Sequence, residues 1–201
     1  MTRDRERLLS LYARAVYPAT LPDGAEVRLR VGAACPALDR FLDDALAARG
    51  LPLSHPGIGA AYLTAANPYA TSLAPLSDAE NAARNAALRA ALAALGARVL
   101  PAPGAPDPDG GVYPPEPSFL ALGLTRAEAL ALADRFGQLA CVFLPRGGAA
   151  TLLAGPPRPP EAHAAEVHAA DATEASPPTA APPTSPPPGA MPGDDAREDR
   201  T

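Results

Sequence analysis

Asn67, Asn81, Arg84 and Gln138 are the residues of this chain whose types and placement could hold a ligand. Carboxamides offer donors and acceptors side by side, and a guanidinium presents a planar fork that matches a carboxylate or phosphate. Asn81 and Arg84 fall in an alanine-rich segment, 77–95, with helical spacing. Its buried row runs back from Leu95 through Leu92 to Leu88 in steps of three and four, and continued it meets Arg84/Asn85 and then Asn81. The row that should be apolar therefore turns polar over the helix's first two turns. A buried polar group without a partner costs about 1–3 kcal/mol, so these side chains need partners in the protein or in a ligand. Asn67, Asn81, Arg84 and Gln138 are the expected ligand-binding set, with a small anion or a protein partner as the expected occupant.

Two carboxylates offer a different chemistry. Glu80 or Glu116 could act as acid or base, with Arg84 clamping a developing oxyanion. A structural role competes at each position. Ser77-x-x-Glu80 and Thr125-x-x-Glu128 both fit the capping box, in which a hydroxyl accepts from the N–H three residues on and the carboxylate reaches back. Asn67 precedes Pro68, which moves it away from right-handed helical geometry, and asparagine commonly satisfies turn backbone. No catalytic residue is assigned, and a purely structural or assembly role is the third alternative.

The elements that must position these residues follow from periodicity. Leu8, Leu11/Tyr12 and Ala15/Val16 predict a helix over 4–16, closed by Pro18. EVRLRV at 26–31 alternates as a half-exposed strand, and 36–50 carries a helical stripe that ends at Gly50. From 58 onward the order is strand 58–65, helix 77–95, strand 97–102, strand 118–124, helix 125–136 and strand 138–144, with 150–154 as a further edge strand. That is the split β-α-β order of ferredoxin-like folds, so the class is α+β: a two-layer core over 58–144 behind an N-terminal helix-strand-helix extension. Strands 58–65 and 118–124 are expected to be central and parallel. The end of 58–65, the start of 138–144 and the starts of both helices would then share one sheet edge, where two helix N-termini favour an anion. Glu116 would fall at the opposite edge.

Composition changes near Gly155. Residues 1–154 carry 14 Arg and 14 Asp+Glu, whereas 155–201 carry 3 Arg and 8 Asp+Glu among Pro, Ala and small polar residues. The reading is a single domain over 1–154 and a disordered acidic tail over 155–201, which lacks the apolar surface to offset its ordering entropy. Pro177-Pro178, Pro182-Pro183 and Pro186-Pro187-Pro188 could form polyproline II, but a solubilising tail is the simpler reading. The neutral folded part lacks the basic footprint of a nucleic-acid binder. All 17 basic residues are Arg.

Cys35 and Cys141 form no C-x-x-C pair and read as reduced thiols of a cytoplasmic protein. No 18-residue apolar run predicts a membrane span, and the charged N-terminus argues against a signal peptide. His55, His163 and His168 lack metal-ligand spacing, D-P-D-G-G at 107–111 reads as a turn rather than a calcium loop, and no nucleotide-binding glycine motif occurs. No metal or cofactor is expected.

One resemblance joins several of these positions. Thr64-Ala65-x-Asn67-Pro68, Glu80-Asn81, Leu88 and Leu92, Glu116-x-Ser118-Phe119 and Phe136-Gly137-Gln138-x-Ala140 occur in the order that resembles a bacterial family catalogued as domain of unknown function 3293, over about residues 58–145. The family often carries an aromatic where Ala66 stands, so the resemblance implies no stacking role at that position. It implies no catalytic residue either. It adds that Asn67, Asn81, Glu116 and Gln138 belong to the family's motifs.

Overall fold

The apolar run IGAAYL lies at the centre of the sheet because every one of its residues is buried, on both faces. The computed structural model describes residues 2–52, 57–68, 76–106 and 115–155. The elements are α1 (Thr2–Arg14), β1 (Tyr17–Thr20), β2 (Glu26–Leu29), α2 (Asp39–Ala48, entered through a 3-10 turn at Pro36–Leu38), β3 (Ile58–Leu63), α3 (Asp78–Ala94), β4 (Arg98–Ala102), β5 (Ser118–Thr125), α4 (Arg126–Arg135), β6 (Ala140–Pro145) and β7 (Thr151–Ala154). The expected tail from 156 onward, His55, His163, His168, the Asp107–Gly111 turn and the proline runs lie outside the described residues.

Five strands form one sheet in the order β4-β5-β3-β6-β7, and β1 with β2 forms a separate hairpin. Over 58–144 this is the expected ferredoxin-like split β-α-β core. The strand directions correct the sequence reading at one point: β3 and β5 are antiparallel, with Ile58 opposite Thr125 and Leu63 opposite Phe119. The reason lies in the connections. The β3–α3–β4 crossover returns β4 in the direction of β3, and β5 then turns back to pair between them, so it must oppose both. Two consequences follow. The start of β5, with Glu116 before it, lies beside the end of β3, and α4 starts at the other edge.

The core is two-layered as expected, with α3 and α4 on one face. Leu88 and Leu92 of α3 and Leu132 of α4 pack there with Ala61, Leu63, Ala121 and Phe143. The N-terminal extension closes the other face. Leu38, Phe41 and Leu42 join Tyr17, Val27 and Leu29 of the hairpin over Tyr62, Leu120, Leu122, Val142 and Leu144. The predicted helix 4–16 ends earlier than expected, because Pro18 lies inside β1 opposite Arg28. Proline is tolerated in such a two-stranded edge. Tyr62 ties the hairpin to the sheet: its hydroxyl donates to the Pro18 carbonyl at 3.1 Å and accepts from Gly104 N–H at 3.1 Å.

A bulge interrupts the alternation of β5. Gly59 pairs with Leu124 and Ala60 with Leu122, which leaves Gly123 as the extra residue at φ +86°. Beyond it, Leu124 faces the α3/α4 side instead of the α2 side. The Arg49 guanidinium donates to the Gly123 carbonyl that the bulge turns out.

Candidate functional site

The chain leaves β3 at Thr64 and enters α3 at Asp78 through a connection far longer than the ~2–6 residues usual for a strand-to-helix joint. Ser77 caps α3. Its hydroxyl accepts from Glu80 N–H at 3.3 Å, while Glu80 Oε2 accepts from Ser77 N–H at 2.8 Å. The Ser77 hydroxyl also donates to Glu80 Oε2 at 2.5 Å, and this bond first, then the one from Ser77 N–H, holds the Glu80 carboxyl below the usual range. The capping expectation is met and Glu80 is committed to it. The same box closes the start of α4 at Thr125 and Glu128.

Asn67 is the hub of the edge. At φ +41° it is the only described non-glycine residue in the left-handed region, which asparagine visits more readily than most side chains. Its N–H donates to Asn81 Oδ1 at 2.8 Å. Its Oδ1 accepts from Leu76 N–H at 3.0 Å and from Asn81 Nδ2 at 3.1 Å. Its Nδ2 donates to Glu116 Oε1 at 2.7 Å. Asn81 also donates to the Leu76 carbonyl at 3.2 Å.

The next turn of α3 grips the backbone on either side. Arg84 Nε donates to the Ala65 carbonyl at 2.8 Å, and one terminal nitrogen donates to the Phe136 carbonyl at 2.8 Å. Phe136 ends α4, so a cation there also complements the carbonyl end of that helix. Asn85, 7% exposed, accepts from Ala65 N–H at 2.8 Å and donates to the Pro117 carbonyl at 2.9 Å. Gln138 Nε2 donates to the Ala66 carbonyl at 2.9 Å. Thr64 closes the frame: its hydroxyl donates to the Pro117 carbonyl at 2.8 Å and accepts from Ala66 N–H at 3.1 Å.

Asn67, Asn81, Arg84 and Gln138 therefore meet at one edge, where β3 and α4 end and α3 and β6 begin. Two expectations are corrected. Glu116 lies in this cluster and not at the opposite edge, because β5 is antiparallel to β3. The start of α4 is at the far edge, beside Ile58, so one helix N-terminus and not two borders the cluster. Sequence reasoning set Asn85 among the polar row but left it out of the binding set. Its place in line with Leu88 and Leu92 was the available signal.

Glu116 is half-buried between Pro115 and Pro117. Burial pushes its carboxyl above the ordinary glutamate range, and the Asn67 hydrogen bond opposes this without cancelling it. A raised native pKa means that the folded protein binds the proton more tightly than the unfolded chain. This contribution to stability is full below the ordinary glutamate pKa and is lost as pH rises through the native one. Glu116→Gln removes it, so the variant gains on the parent as pH climbs from about 4 to about 7. Chemical denaturation at several pH values reads this directly. A gap that stays constant with pH would mean that Glu116 titrates as it does in the unfolded chain.

Among the described residues no group of three His, Cys, Asp or Glu is placed to hold a metal, and no helix is long and apolar enough to cross a membrane. Cys141 is buried with its thiol toward the Ala129 carbonyl, and burial raises its pKa to about 12, which keeps it an inert thiol. The stretch 63–141, which runs from the end of β3 to the start of β6, matches a family model described as a protein of unknown function, DUF3293. Every hydrogen bond of the Asn67 hub lies within that stretch. No curated protein and no solved structure matches the chain significantly.

Proposed function

We propose that this chain, whose residues 63–141 match the DUF3293 model, is a small non-catalytic binding or interaction module, and that it binds at the edge where β3 ends and α3 begins. One observation carries the reading. Asn81, Arg84, Asn85 and Gln138 all hydrogen-bond the backbone of one irregular stretch, 65–67, and the Asn67 side chain reaches on to Leu76 N–H. The joint from β5 to α4 is made directly at Thr125, with a capping box and Arg49 behind it. Four side chains on the backbone of residues 65–67, with Asn67 itself left-handed, exceed what joining a strand to a helix requires. Preorganised surfaces of this kind lose less entropy on binding.

Acid–base chemistry has less support. Glu80 is committed to its cap, which leaves Glu116 alone. A second reading, a purely structural or assembly role, draws on the inward direction of the same bonds.

A melting-temperature screen of the full chain against small anions, cations, nucleotides and metabolites separates the two. A binding module gives a ligand-induced rise that Arg84→Ala abolishes, each shift being measured from that protein's own ligand-free value. If no compound raises the melting temperature, and Asn81→Ala merely lowers stability by ~1–3 kcal/mol, the structural reading stands and the binding one falls.

A further inference from the structure

The groups of this edge differ in what they have left to offer a ligand. Asn67 uses its N–H, its Oδ1 twice and its Nδ2. Arg84 has two nitrogens on main-chain carbonyls. The Ser77–Glu80 box answers the start of α3 with its own carboxylate. Glu116 is different. One of its oxygens is pinned by Asn67, and among the described residues none donates to the other. The residue as a whole is only half-buried.

The pinned carboxylate is held firmly. Its backbone passes so close to Gly104 that a Cβ there would lie 2.1 Å from the Glu116 carbonyl oxygen, and Ser118 Oγ donates to that same carbonyl at 2.8 Å. Prolines on both sides restrict the chain further.

We propose that Glu116 is the ligand-facing group of this edge and that it recognises a cationic donor, a primary ammonium or a guanidinium. This rests on the binding reading above and replaces its expected small anion with the opposite charge. An ionised carboxylate only accepts hydrogen bonds, and its bonds to cations are about twice as strong as neutral ones. The side-chain hydrogen bond that Glu116 accepts comes from the uncharged Asn67 amide. A cation arriving at the second oxygen supplies the charge that half-burial leaves uncompensated. A metal ion is a poor candidate, since no second or third carboxylate or imidazole stands with Glu116 among the described residues.

The test uses the full chain, isotope-labelled, titrated with n-butylammonium and n-butylguanidinium chloride, and separately with sodium succinate at matched ionic strength. The expected result is saturable movement of the Asn67 side-chain amide and the 116–118 backbone signals by a cation. Glu116→Gln should weaken this about tenfold or more. It keeps an oxygen for Asn67, so the frame survives. Glu80→Gln should leave cation binding unchanged. Cation binding that Glu116→Gln does not weaken overturns the proposal. Succinate moving these signals while neither cation does overturns it and leaves the binding module intact. Silence from all three probes, with the spectrum of a folded protein, counts against both.

Discussion

Asn85→Ala should destabilise the protein by about 2–4 kcal/mol, more than any other substitution in the polar row of α3. The side chain is 7% exposed and bridges two strands, accepting from Ala65 N–H at the end of β3 and donating to the Pro117 carbonyl ahead of β5. Truncation removes both bonds, and the two losses are unequal. The Pro117 carbonyl keeps its bond from Thr64 at 2.8 Å. Ala65, itself 0% exposed, keeps no described partner for its N–H. An unmet buried donor accounts for about 1–3 kcal/mol alone, and the lost bonds add to it. Asn85→Leu keeps the volume but not the bonds and should rescue little. Urea unfolding measures the loss, and hydrogen exchange at Ala65 localises it. A loss below about 1 kcal/mol would mean that water enters and meets the orphaned N–H.

Asn85 also marks how far the sequence could be read. The helices and strands were found because Leu88 and Leu92 obey the helical period, β2 alternates, and β3, β5 and β6 are short apolar runs. Propagating the α3 row backward located the polar face, and both capping boxes were legible as local patterns. Which partners those side chains choose was not legible, because the partners are main-chain atoms of residues far away in sequence. Asn85 reaches Pro117, Arg84 reaches Phe136 and Gln138 reaches Ala66. Glu116 was misplaced for a topological reason. The order of the elements was right, but giving β3 and β5 the same direction sent the start of β5 to the wrong end of the sheet. β1 was missed because Tyr-Pro-Ala-Thr carries a residue that denies a ladder hydrogen bond. The bulge at Gly123 shows no local sign beyond the glycine itself, since its register depends on Gly59 and Ala60 across the sheet.

Arg49→Ala is the counterpart at the far edge and should lower stability at neutral pH by about 2–4 kcal/mol. Arg49 follows α2 and joins three elements there. It donates to the bulged Gly123 carbonyl, and it meets Glu128 of α4 with a fork at 2.8 and 3.3 Å. The side chains are 13% and 25% exposed, so water does little to replace the pair. Burial acts to raise the Glu128 carboxyl, but the hydrogen bonds from Arg49 and Thr125, and the charge of Arg49, outweigh it and hold it below the usual range. A lowered native pKa contributes stability that is present above the ordinary value of 4.5 and is lost as pH falls through the native one. The gap between parent and Arg49→Ala should therefore be widest at neutral pH and should narrow in acid, the reverse of the Glu116 profile. Arg49→Lys restores the charge without the fork and should recover only part of the loss. A gap that does not change between about pH 7 and pH 3 would assign the effect instead to the arginine stem, which lies beside Gly96 and Gly123. The two edges thus differ in kind: at the far one a charged pair is closed on itself, and at the near one a carboxylate is pinned by an uncharged amide, with no described donor on its other oxygen.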